Sequence, residues 1–146
     1  MVTHPSILLI EDSPGECELF RLALARTSLD VVLYTEHDAE AAFHFLEDRR
    51  HHHPLPALIL LDLQLRGQNG CDFLKRLRAD ARFTAIPVVV FTTSDDPTDL
   101  ARCYASGANG YVVKPGTFEQ LVQCVGDIGR YWINRNLTPY PIGVRC

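Results

Sequence analysis

Four short apolar runs in this sequence stop on side chains that could do chemistry together. Ile7-Leu8-Leu9-Ile10 leads into Glu11-Asp12, and Leu58-Ile59-Leu60-Leu61 into Asp62. Val88-Val89-Val90-Phe91 leads into Thr92, and Tyr111-Val112-Val113 into Lys114. Taken singly, each has a plain reading: a carboxylate or hydroxyl after a strand is usually a helix cap or a solvated turn, and a lysine is usually surface charge. Gathered at one place they are different. Carboxylates crowded together repel one another unless a cation lies between them. An all-oxygen donor set suits magnesium, Mg2+, which needs few protein ligands and keeps several waters. Magnesium beside a nucleophilic carboxylate makes a phosphoryl-transfer site. In such a site Asp62 attacks phosphorus, Glu11 and Asp12 hold the metal, Lys114 offsets charge on the phosphoryl oxygens, and the Thr92 hydroxyl donates to another of them.

The elements must bring these groups to one edge. Runs that are apolar throughout and strand-length read as strands buried on both faces, the habit of a parallel sheet. Val31 to Thr35 adds a strand through its β-branched and aromatic content. Helical spacing alternates with these strands. Ser13 caps a first helix with Pro14 at its start, Glu16 three residues on, and Leu19, Leu22, Ala23 and Arg26 in its pattern, ending near Thr27. Asp38 to Asp48 is a second helix with Ala39, Ala42, Phe43 and Leu46 on one face. A polar, glycine-containing loop from Leu63 to Gly70 precedes a third, Cys71 to Ala79, which buries Phe73, Leu74 and Leu77. Asp99 to Ala105 is a short fourth, stopped by Gly107. Thr117 caps a fifth, from Phe118 to about Ile133, with Phe118, Leu121, Val122, Val125, Ile128 and Trp132 on its apolar face. Right-handed crossovers turn strand and helix, five times over, into an α/β fold: a doubly wound five-stranded parallel sheet. The carboxyl ends of its strands, where open α/β sheets bind ligands, then share one edge. Residues 1–133 form this domain, and residues 134–146, with Pro139 and Pro141, form an extended C-terminal extension.

Composition narrows the field. Of 146 residues, 47% are hydrophobic and 22% charged, an ordinary globular balance. A formal net charge of -4 offers nucleic acid no general attraction. No apolar run approaches a membrane span, and the N-terminus lacks a basic-then-apolar leader, so a cytoplasmic protein is expected. The five cysteines lack Cys-x-x-Cys spacing and read as reduced thiols. His51-His52-His53 reads as a solvated loop, since neighbours in a loop seldom face one ion. No glycine-rich phosphate-binding motif supports nucleotide binding.

Glu11-Asp12, the Leu60-Leu61-Asp62 strand end, Thr92-Thr93-Ser94 and Lys114-Pro115 together resemble the response-regulator receiver domain of two-component signalling, over about Ile7 to Ile133. The resemblance implies a flavodoxin-like fold with strand order 2-1-3-4-5. It implies that Asp62 accepts a phosphoryl group from a sensor histidine kinase, with magnesium bound, and loses it slowly to water. It implies that the backbone carbonyl of Gln64 joins Glu11, Asp12 and Asp62 at the metal. Tyr111 matches the aromatic switch position, and Thr92 the hydroxyl whose movement lets that ring turn inward. Lys114-Pro115 resembles the usual cis peptide of the family. The chain departs from the common Met-Pro pattern at Leu65-Arg66, where Arg66 adds charge at the rim of the site.

A finer resemblance is to the small receivers paired with bacterial phytochromes. It rests on Phe91 to Asp96, on Cys103-Tyr104, on Gly107 to Tyr111, and on Tyr131-Trp132 with its proline-containing tail. It implies a phytochrome-linked kinase and a homodimer through helix 4, strand 5, helix 5 and the C-terminal tail. Trp132 could instead close the core of its own chain. Nothing after Ile133 is long enough for a DNA-binding effector, so output falls to protein contact or to a phosphorelay shuttle. A metal-dependent phosphatase lacks support, because Gln64 stands where a second catalytic aspartate would be. A scaffold that works without phosphorylation has no need of all five groups.

Overall fold

The computed structural model describes residues 4–140. Its main sheet is built from β1 (Ser6–Ile10), β2 (Val32–Glu36), β3 (Leu58–Leu61), β6 (Val88–Thr92) and β7 (Gly110–Val113). They are parallel, in the order β2-β1-β3-β6-β7. The two intervening strands, β4 (Gln64–Leu65) and β5 (Gln68–Asn69), form a separate antiparallel hairpin. The loop expected after Asp62 is therefore folded on itself, with Gly67 supplying the positive φ of 64° its tight turn requires. Discounting that hairpin, the order is the expected 2-1-3-4-5.

Five helices cover both faces: α1 (Pro14–Ala25), α2 (Ala39–His52), α3 (Gly70–Ala79), α4 (Pro97–Ala105) and α5 (Phe118–Trp132). α1 and α5 close one layer of core around Phe20, Leu58, Leu60, Val89, Phe91 and Val125. α2 and α3 close the other around Phe43, Leu46, Ile59, Leu74, Leu77 and Phe83. β1, β3 and β6 are buried along their whole length, as all-apolar runs between two helical layers must be. Ser13, Asp38, Asn69, Asp96 and Thr117 cap the five helices through side-chain oxygens.

Several local expectations give way. On α1 the buried stripe is Cys17, Phe20, Ala23 and Leu24, while Leu19 and Leu22 are exposed. Two apolar stripes overlap on this helix, and the edge-on packing of Phe20 against Phe91 selects one of them. α2 runs on through His51 and His52 instead of ending at Asp48. Its basic last turn, Arg49 to His52, suits the negative end of the helix dipole. It stops at His53, which precedes Pro54 and is extended, with φ −145° and ψ 159°. The Lys114-Pro115 peptide is trans, since no cis peptide occurs among the described residues. Trp132 packs partly buried against the core of its own chain. The described part of the extension turns back under the sheet, where the Tyr140 ring joins the α2/α3 core and its hydroxyl accepts from the Ala85 N–H at 2.9 Å. The rest of the extension, residues 141–146, lies outside the described residues.

Candidate functional site

The parallel arrangement places the ends of β1, β3, β6 and β7 side by side. Backbone hydrogen bonds set their heights: Asp62 N–H donates to Ile10 O at 3.1 Å and Lys114 N–H to Thr92 O at 2.7 Å. α3 comes so close behind Asp62 that a Cβ on Gly70 would lie 2.6 Å from the Asp62 carbonyl oxygen. Only glycine fits that approach, so Gly70 belongs to the positioning of the site although the sequence presented it as one more loop residue.

Lys114 is the centre of the resulting cleft. Its Nζ donates to Glu11 Oε2 at 2.7 Å and to Asp62 Oδ2 at 3.0 Å, and lies 3.6 Å from Glu16 Oε2. Glu11 and Asp62 are buried, at 3% and 7% exposure. Asp12, Ser13, Glu16, Gln64 and Thr93 complete a cleft of about 260 Å³. Glu11 Oε1 also accepts from Ser13 N–H at 3.1 Å, and Asp62 Oδ1 from Gln64 N–H at 3.2 Å.

The electrostatics of the site are unevenly balanced. Burial, reinforced by the adjacent Asp62 carboxylate, pushes Glu11 up to about 7 despite Lys114. Asp62 moves the other way: burial would raise it, but its hydrogen bonds and the Lys114 charge prevail and hold it below the ordinary carboxylate range. Lys114 is likewise raised, because its carboxylate partners outweigh burial. One ammonium thus does not neutralise the acids around it, and Glu11 holds a proton more tightly than an ordinary carboxylate does. The donors are all oxygen, which fits a hard divalent ion. Among the described residues no three ligating side chains already stand in a metal-binding array. Lys114 spans the gap between Glu11 and Asp62 instead.

The other anticipated residues are placed less directly. Thr92 is fully buried, and its Oγ1 accepts from Ser94 N–H at a long 3.5 Å; it is Thr93 that lines the cleft. Tyr111 is half-buried against Leu63, Cys71, Val90 and Cys103, and its hydroxyl donates to Ser94 O at 2.8 Å. Arg66 is exposed in the turn of the small hairpin and does not line the cleft. Cys17, Cys71 and Cys103 are buried free thiols. Glu16 was legible only as a capping residue, and Ser94, although part of the Thr92-Thr93-Ser94 signature, was not legible as a hydrogen-bonding hub.

A parallel α/β sheet carrying an acid-and-lysine cleft at its carboxyl edge, with a threonine and an aromatic on the strands beside it, defines the receiver class of signalling domain. The chain matches the response regulator receiver domain over residues 7–126 and belongs to that family. It is 37% identical over 138 residues to the probable methanogenesis regulatory protein FilR2 of Methanothrix harundinacea, covering 92% of this chain and 88% of that one. It is 33% identical over 135 residues to response regulator Rcp1 of Synechocystis, covering 91% and 92%. Rcp1 has a crystal structure in its Mn(2+)-bound form, which superposes with a TM-score of 0.80 at 32% identity over 92% of this chain and 99% of that one. The phosphorylated cyanobacterial phytochrome response regulator RcpA superposes with a TM-score of 0.84 at 31% identity, over 94% and 99%. The chain is thus a receiver related to phytochrome-associated regulators, and among its described residues no helix is long and apolar enough to cross a membrane.

Proposed function

We propose that this protein is a two-component response regulator whose Asp62 accepts a phosphoryl group from a histidine kinase of phytochrome type, with output by protein contact in the cytoplasm. The observation that carries this reading is the Lys114 ammonium held between two buried carboxylates, one of them the strand-end aspartate. Asp62 stays ionised, as a nucleophile must, while Glu11 is the acid that a second cation would relieve. Glu11, Asp12, Asp62 and the Gln64 carbonyl would hold magnesium, which supplies charge neutralisation for the incoming phosphoryl group. Lys114 would exchange a carboxylate contact for a phosphoryl oxygen. RcpA, described as phosphorylated, and Rcp1, described as Mn(2+)-bound, support the reading by likeness.

The protein incubated with magnesium and a small acyl phosphate should acquire one acid-labile phosphoryl group per chain, and Asp62→Asn should acquire none. Equal labelling of the variant would overturn the assignment.

Self-association through α4, β7 and α5 belongs to the same proposal. Leu100, Tyr104, Val113 and Tyr131 are exposed there, at 39%, 51%, 44% and 55%. Aromatic and aliphatic side chains left uncovered together are the usual anchors of an interface. The described part of the tail is occupied by its own chain through Tyr140, so this contact rests on the helical face first. Light scattering should give a dimer at micromolar concentration for the full chain and a monomer for Tyr104→Asp. A monomeric full chain, with and without phosphodonor, would count against it.

A further inference from the structure

We infer that the Ser94–Asp99 hydrogen bond is a positioning clasp that ties the threonine and tyrosine of the switch to helix α4; this rests on the phosphoacceptor reading above. Four bonds meet at Ser94. Its N–H donates to Thr92 Oγ1 at 3.5 Å, and its carbonyl accepts from the Tyr111 hydroxyl at 2.8 Å. Its own hydroxyl donates to Asp99 Oδ2 at 2.6 Å and accepts from the Asp96 N–H at 3.3 Å. Asp96 caps α4 and Asp99 lies in its first turn.

The strengths of these bonds are graded. A hydroxyl bonded to a carboxylate at 2.6 Å is of the charge-assisted kind, roughly twice as strong as a neutral bond. The Thr92 contact is at the outer limit of hydrogen-bond distance. When the Thr92 hydroxyl is drawn toward a phosphoryl group, the bond to Ser94 N–H breaks and the one to Asp99 survives. Ser94 then moves as part of α4, and the carbonyl that holds Tyr111 moves with it. Without the clasp, only the longer 3.3 Å contact from the Asp96 N–H links Ser94 to α4, and Thr92 and Tyr111 can change while α4 stays as it was. Ordinary capping gives a different result: losing it loosens α4 equally whether or not Asp62 is phosphorylated.

The full chain, with magnesium and acetyl phosphate, is compared with Asp99→Ala, Ser94→Ala, the double variant and Ser94→Thr. Asp62 labelling, amide exchange across Pro97–Ala105 and the Tyr111 ring resonances are each read before and after labelling. Asp99→Ala should label as the parent does, with its phosphorylation-dependent change in α4 exchange reduced about threefold or more. Ser94→Ala should show the same reduction, the double variant no further one, and Ser94→Thr, which keeps the hydroxyl, the parent response. A parent-like α4 response in Asp99→Ala or Ser94→Ala, additive losses in the double variant, or failure of Ser94→Thr to restore the response would overturn the clasp. Absence of labelling in the parent would overturn the phosphoacceptor reading itself, and is read separately from α4.

Discussion

Two half-buried cations sit at opposite ends of the sheet, and they are satisfied in opposite ways. Lys114, at the carboxyl edge, has only carboxylates for partners: Glu11, Asp62 and, further off, Glu16. Arg78, on α3 near the starts of β6 and β7, has none among the described residues. Its guanidinium donates to Gly107 O, Thr84 O and Ile86 O at 2.8, 3.0 and 2.8 Å and to Asn109 Oδ1 at 2.7 Å. Asn109 Oδ1 in turn accepts from Val88 N–H at 2.8 Å. Burial, which outweighs Tyr140, lowers the Arg78 pKa, whereas the carboxylates raise that of Lys114. Each end also has a glycine fixed by close approach, Gly70 against the Asp62 carbonyl and Gly107 against the Arg78 stem, where a Cβ would lie 2.7 Å from Cγ. Arg78 is a planar fork whose donors reach fixed acceptors on several loops, which is how a charge fastens a fold. Lys114 is a point charge on a flexible stem among mutually repelling acids, so its contacts can be exchanged for new ones. Lys114 is thus left in an unbalanced setting, while Arg78 is matched with backbone and amide dipoles.

That contrast breaks most visibly at Arg78. Arg78→Ala strips the carbonyls of Gly107, Thr84 and Ile86 of a shared donor and should cost about 3 kcal/mol, read as a fall in the urea midpoint. The protein that remains folded should still label on Asp62 within about twofold of the parent; a large loss of labelling at constant fold would erase the distinction between the two cations. Lys114→Ala should do the reverse. Labelling with acetyl phosphate should slow about 100-fold, the usual loss on removing a charge aimed at developing anionic oxygens. Its fold should survive, because Glu11 and Asp62 can share a proton once the ammonium is gone. Unchanged labelling would remove Lys114 from the chemistry.

The smallest effect is the one that depends on pH. Glu11 in the folded protein titrates near 7, above its ordinary 4.5. A raised folded pKa means that the native state binds the proton more tightly than the unfolded chain does. The stability it contributes is full below 4.5 and is lost as pH rises through 7. In chelator, the melting temperature should therefore decline across that window, by an amount equivalent to at most about 3 kcal/mol. Glu11→Gln should flatten the decline and be the more stable protein at about pH 8, roughly one unit above the Glu11 transition. An unchanged slope in the variant would place the imbalance at some other acid. Arg78→Ala should lower the whole curve without changing its slope, since Arg78 stays charged throughout.

Much of this was legible in the chain. Apolar runs ending in Glu11, Asp62, Thr92 and Lys114 disclosed both the parallel sheet and the edge at which its chemistry gathers, because a strand buried on both faces leaves no polar position except its end. Helix capping was equally visible, since Ser13 and Thr117 need only their own neighbours. The α1 stripe was not legible, because Leu19 and Phe20 lie on adjacent positions and only the Phe91 ring across the interface selects between them. Nor could local sequence show that Lys114 reaches both Glu11 and Asp62, or that Thr93 and not Thr92 borders the cleft. Arg78 was silent because three of its acceptors are backbone carbonyls, which every residue has, and the role of Ser94 was silent because Tyr111, which meets its carbonyl, lies on a distant strand.

The sequence by itself determined the fold class, the family and the inventory of reactive groups, because periodicity and residue type are local properties. The tertiary structure alone decided which groups touch. It set the pairing of Lys114 with two acids and the raised proton affinity of Glu11. It also set the chain of bonds from Thr92 through Ser94 to α4. Each of these depends on distances of a few ångströms between segments far apart in the chain, and on a dielectric that exists only once the core has closed.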